Sequence, residues 1–232
     1  KAQGLAGKPV ADIRIDGAGK KVTRSDNCRV SDLSVSSDNL TFTYEAKSLP
    51  YPIDTSYYDN EKHTQADALS VIPFMDEMNY EGLSVSGLSD GYYGLTIGGE
   101  FIGRFTAREL ERGINMALLQ NTPQYKQAMK IRQMNEERWL KERKMREFYW
   151  VEYNLMRKTG MLWACNEAAV DTLRKYRPHD IFLQWNGDLW LQYMHKGIRE
   201  DCVNEQQDLV DRIYEQNKPI PLQIEIKKFT DL

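Results

Sequence analysis

The stretch that decides the fold runs from Leu83 to Leu119, LSVSGLSDGYYGLTIGGEFIGRFTARELERGINMALL. Leu83 and Val85 alternate with serines, and Leu95 and Ile97 alternate with Gly94 and Thr96, the two-residue period of strands with one apolar face. Phe101 and Phe105 recur beyond Gly98-Gly99, whose two glycines supply the positive φ that a two-residue hairpin loop requires. Thr106 to Glu109 has the form of a capping box, the threonine hydroxyl accepting from the Glu109 amide while the glutamate reaches back. Gly113 is placed to stop that helix. The stretch therefore predicts a strand meander followed by a capped helix, and it contains no catalytic machinery.

Toward the amino terminus the same alternation recurs. Ile13 and Ile15, then Leu33 and Val35, then Leu40, Phe42 and Tyr44 each alternate with polar residues, and Gly17, Gly19, Ser36-Ser37 and Asp38-Asn39 mark turns. This is the pattern of antiparallel sheet buried on one face. Residues Leu49 to His63, rich in proline and tyrosine, read as an irregular loop, and Pro73 argues against an unbroken helix over Ala66–Met78.

Beyond the stretch the character changes. Thr122-Pro123 is a helix start with proline in the first turn, and no glycine or proline follows until Gly160. An uninterrupted helix over 122–160 would be roughly 55 Å long at about 1.5 Å per residue. Met145, Phe148, Tyr149, Leu155 and Met156 form one apolar stripe on it, and Asn166 is placed to cap a following helix carrying Ala169, Val170 and Leu173. Residues 203–217 carry Leu209, Val210, Ile213 and Tyr214 in a further helix, and Leu222, Ile224 and Ile226 alternate as a terminal strand. The predicted fold class is α+β: a small, sandwich-like antiparallel β unit (1–121), an elongated helical hairpin or bundle inserted after it (122–217), and a strand returning to the β unit (218–232).

Composition narrows the function classes. A chain of 232 residues with 41% hydrophobic residues is long enough to bury a real core. Its net charge of -3 provides no field for nucleic acid, and no run approaches the ~20 apolar residues of a membrane span. Cys28, Cys165 and Cys202 form no Cys-x-x-Cys pair, which leaves one disulfide or buried free thiols as open alternatives. The opening KAQGL lacks a signal pattern and looks like the end of a helix, a hint of a processed or truncated product.

From Val71 to Ala128 the chain resembles the region that follows the catalytic domain in bacterial SGNH/GDSL-type hydrolases. The resemblance rests on Ile72-Pro73-Phe74, Gly87-Leu88, Gly91, Tyr93, Leu95, Ile97, Gly99, Phe105-Thr106-Ala107, Glu109-Leu110 and Gly113-Ile114-Asn115. It implies an esterase-like or lipase-like parent, exported to the periplasm or cell surface or secreted, that acts on acylated carbohydrate. The Gly-Asp-Ser and Asp-x-x-His blocks of such enzymes do not occur here, so the resemblance places the catalytic residues outside this chain. The N-terminal hydrolase domain of the parent would then be its partner.

The candidate side chains are few. His63, His179 and His195 are the imidazoles, and His179 beside Asp180 is the best candidate for a base with an orienting carboxylate, although adjacent side chains rarely form such a pair. Asp180 and Asp188 could serve as paired carboxylates. Phe182, Trp185, Trp190 and Tyr193 could stack on a sugar ring, against the plainer reading that they pack one helical face. No spacing suits a metal site, and no cofactor is implied.

These residues support an accessory region that carries no catalytic, cofactor-binding or metal residue, shapes the cleft of a hydrolase or mediates assembly, and offers its long helix for oligomer formation. The second reading is an independent carbohydrate-binding module using Trp185, Trp190 and Tyr193.

Overall fold

The computed structural model describes residues 9–55 and 64–229. The opening KAQGL, His63 and the tyrosine pair Tyr57-Tyr58 lie outside the described residues. The chain divides into two compact units, Lys1–Arg132 with Gln216–Leu232, and Gln133–Glu215. Each has its own hydrophobic core.

The first unit is built on two sheets. One orders β2 (Lys21–Asp26), β1 (Ala11–Asp16), β5 (Glu81–Ser86) and β8 (Ile114–Asn115); the other orders β3 (Cys28–Val35), β4 (Asn39–Ala46), β9 (Leu222–Lys228), β6 (Tyr92–Ile97) and β7 (Glu100–Thr106). The second sheet is antiparallel throughout. The terminal strand β9 returns to its centre, pairing Ile226 with both Leu40 and Leu95. The first sheet is mixed within this mostly antiparallel unit, because β1 and β5 run parallel, Ile13 opposite Leu83. Asp16 ends β1 and Glu81 opens β5, leaving 64 residues of intervening chain, ample for the crossover that parallel pairing needs.

One core joins the alternating residues of the two sheets: Ile13, Ile15, Leu83 and Val85 from one, and Phe42, Tyr44, Leu95, Ile97, Ile224 and Ile226 from the other. The hairpin closes through Gly98 (φ 59) and Gly99 (φ 83), with Ile97 opposite Glu100. Beyond it the register skips Ile102, since Leu95 faces Gly103 while Thr96 faces Phe101. That bulge turns Ile102 into the core and leaves Phe101, one of the two recurring phenylalanines, exposed. The capping box forms as the sequence predicts at α2 (Ala107–Arg112), which ends at Gly113 with φ 95. Before β5, Pro73 separates a short 3-10 turn, Gln65–Ser70, from α1 (Phe74–Glu77).

The helices are α3 (Pro123–Val151), α4 (Glu167–Tyr176), α5 (Ile181–Tyr193) and α6 (Lys196–Gln216). Thr122 starts α3, its hydroxyl accepting from the Tyr125 amide at 3.3 Å, and Asn166 caps α4 through the Ala169 amide. In the second unit Met145, Phe148, Val151, Leu155 and Met156 pack with Ala169, Leu173, Leu183, Trp190 and Tyr193. The stripe includes Tyr149 only at its margin, because that ring is partly exposed against Trp163. Lys141 of α3 pairs with Glu205 of α6 at 2.6 Å, and Arg199 donates to the Tyr193 and Met194 carbonyls while lying over the Phe148 ring. Among the described residues no helix is long and apolar enough to cross a membrane.

Candidate functional site

The helical unit departs from regular geometry at one place. The helix begun by α3 does not run regularly to Gly160; after Val151 it opens into a π-helical turn over Glu152–Met156, closed by the Arg157 amide on the Glu152 carbonyl at 2.8 Å. A π turn inserts a residue into the helical ladder and swings the side chains that follow, a distortion common beside functional sites.

Glu152 anchors this turn. Its buried carboxylate accepts from Trp190 Nε1 and from the Trp163 backbone amide, each at 2.8 Å. One side chain thus ties the π turn to α5 and to the loop before α4. It also holds Trp163 at φ 62, a left-handed conformation costly for a residue with a Cβ. The Trp163 ring stands edge-on to Tyr149 and Tyr153 at 6.0 and 5.8 Å, and the three rings form an exposed aromatic patch.

On the face of the π turn lined by Asn154 and Leu155 lies an open cleft of about 350 Å³. Trp150, Leu155 and Leu183 form its apolar wall, and Asn154, Lys158, Thr159, Tyr176, His179 and Asp180 bring polar groups. Asn154 and Thr159 are oriented locally, donating to the Trp150 carbonyl and to the Leu155 and Met156 carbonyls respectively. Asp180 caps α5, its Oδ1 accepting from the Phe182 and Leu183 amides.

The candidates named from sequence separate in the structure. His179 and Asp180 both line the cleft, but the Asp180 oxygen that takes a hydrogen bond serves the helix cap and not the imidazole. Asp188 is held by Arg177 in a two-pronged pair at 2.6 and 2.7 Å, which lowers its pKa below the usual carboxylate range. The two aspartates are therefore engaged by different partners. The structure places Trp190 and Tyr193 in the core and leaves Trp185 exposed, edge-on to Phe182. Three aromatics at helical spacing thus divide between the inside and outside of α5. His195 meets the exposed Cys165, its Nδ1 3.4 Å from Sγ, and all three cysteines are free.

Sequence reasoning passed over a second buried carboxyl, Glu81, in the β unit. Tyr44 Oη donates to its Oε1 at 2.8 Å and Gln124 Nε2 approaches both oxygens at 3.3 Å, and the side chain is fully buried. Burial pushes its pKa up to about 7, against the opposing hydrogen bonds from Tyr44 and Gln124. Gln124 Oε1 is buried without a hydrogen-bond partner among the described residues. The signal was a single acid at the head of a strand whose other residues are uncharged.

The family described as the diltiazem deacetylase C-terminal helical domain matches residues 129–218, a range that encloses the helical unit and its cleft. A solved structure of a gut microbial diltiazem-metabolizing enzyme is 37% identical, covering 98% of this chain and 52% of that one, with a TM-score of 0.91. The chain thus spans about half the length of that enzyme. No curated protein matches. These findings correct the resemblance to SGNH/GDSL-type hydrolases: both matches point to diltiazem deacetylase, and neither supports the carbohydrate or secretion expectations attached to that resemblance. The physical reason lies in what carried it. Gly98-Gly99, the Thr106 cap and Gly113 satisfy backbone geometry that any such meander and helix require.

Proposed function

We propose that this chain is the non-catalytic part of a deacetylase related to the diltiazem-metabolizing enzyme, with the helical unit lending its cleft and aromatic patch to the whole. The observation that carries the reading is the match of nearly the whole chain to only 52% of that enzyme. The imidazoles support it. Serine-type acyl transfer needs a base between a nucleophile and an orienting group. Among the described residues, His179 has no hydroxyl partner, and His195 touches a thiol with no carboxylate behind it. The exposed Tyr149, Tyr153 and Trp163, the last with its amide held by Glu152, suit a surface that another part of a larger enzyme covers.

The direct assay is hydrolysis of diltiazem and of p-nitrophenyl acetate by the purified chain. The expected result is release of acetate no faster than in a heat-denatured control. Saturable turnover would place the catalytic groups within this chain and overturn the proposal.

A further inference from the structure

The π-turn cleft has a donor inventory that points to its ligand. We infer that it binds a small anionic molecule with an aromatic or otherwise flat apolar body. This rests on the geometry of the cleft and stands whether or not the chain is part of a deacetylase.

Three side chains bring hydrogen-bond donors to the cleft: the Lys158 ammonium, the Tyr176 hydroxyl and the His179 imidazole. None of the three polar groups has a hydrogen-bond or ion-pair partner among the described residues. The one carboxylate in the lining, Asp180, accepts from two backbone amides through Oδ1 at the start of α5, where a helix N-terminus favours negative charge. The other nearby carboxylate, Asp188, is paired with Arg177. The donors of Lys158, Tyr176 and His179 thus line the cleft without a partner among the described residues, and a ligand carboxylate satisfies them.

The apolar wall sets the rest of the ligand. Trp150 lies half-buried with its ring 5.2 Å from Phe182, which fixes its plane, and Leu155 and Leu183 back it from the core. A volume of about 350 Å³ is at the small end of ligand sites and suits a bicyclic aromatic acid better than a polymer. Glu152 keeps the cleft in shape by holding the π turn against Trp190, so the site is formed before the ligand arrives.

The test is calorimetric titration of the full chain at pH 7 with 2-naphthoate, with its neutral analogue 2-naphthylmethanol and with the cation 2-naphthylmethylammonium. The expected order puts naphthoate at least about tenfold tighter than the alcohol, with the cation weakest. Lys158→Met should erase the preference for the anion, and Trp150→Leu should weaken both naphthoate and the alcohol. Lys158 is exposed, so its replacement should leave the circular dichroism spectrum unchanged. Equal binding of acid and alcohol, tighter binding of the cation, indifference to Lys158→Met, or no saturable naphthoate binding up to about 5 mM would each overturn the inference.

Discussion

Trp190 and Glu152 meet where neither is open to solvent, the indole Nε1 donating to the carboxylate Oε1 at 2.8 Å. The other oxygen of the same carboxyl holds the Trp163 amide, so one buried side chain organises both the π turn and the aromatic loop. Trp190→Phe removes one donor and leaves the carboxylate short of a partner. The expected loss is about 3 kcal/mol of stability, from a buried acceptor left unpaired together with the space vacated. Urea denaturation followed at the helical signal checks this, and a loss under about 1 kcal/mol would mean that water replaces the indole.

Glu81 gives the β unit a pH dependence of definite sign. Its pKa stands at about 7 in the folded chain against 4.5 for the ordinary side chain. Between those values the folded state holds a proton that the unfolded state has released, so stability falls as pH rises through the interval and is level on either side. The total is about 3 kcal/mol at 1.36 kcal/mol per pKa unit. Denaturation at pH 5, 6, 7 and 8 should show the decline in the wild type and a flattened profile in Glu81→Gln. A wild-type profile that rises over this interval would contradict the assignment of a neutral Glu81.

The two hairpin glycines should differ in cost. Both have positive φ, so alanine at either is strained by about 1 kcal/mol. A Cβ at Gly99 meets nothing within 4 Å, whereas one at Gly98 comes within 3.3 Å of both Leu222 and Pro123. Gly98→Ala should therefore be the more destabilising of the two in thermal melts. The reverse order would show that the loop relaxes.

The thiols should separate by reactivity. Cys165 is exposed, while Cys28 and Cys202 are buried, and burial pushes the Cys28 thiol up to about 11. Ellman's reagent should label one thiol rapidly in the folded chain and the other two only after denaturation. Rapid labelling of two or more in native buffer would contradict the burial of the pair.

The legible parts of this fold were those where one residue sets one local geometry. Gly98-Gly99, Thr106 with Glu109, Asn166 and the alternation of β4, β6 and β9 carry their own structural reasons, and all appear as read. The edge strand β2 was not legible, because Lys21–Asp26 is almost wholly exposed and has no apolar alternation to show. The parallel pairing of β1 with β5 depends on distant chain segments, and the bulge at Ile102 depends on register, which alternation alone does not encode. The cleft was half legible. His179 and Asp180 drew attention through their chemistry, but the π turn that arranges the site is not signalled by Glu152–Met156, and Glu152 resembles any other surface glutamate in the sequence.

The central claim is that this chain complements a catalytic part carried elsewhere. It is tested most directly by exchanging the corresponding half of the diltiazem-metabolizing enzyme for this chain and measuring diltiazem deacetylation by the chimera. With 37% identity and a TM-score of 0.91 behind the exchange, the chimera should deacetylate diltiazem while this chain by itself does not. A chimera that folds by circular dichroism yet has no activity, or activity in this chain alone, would contradict the account.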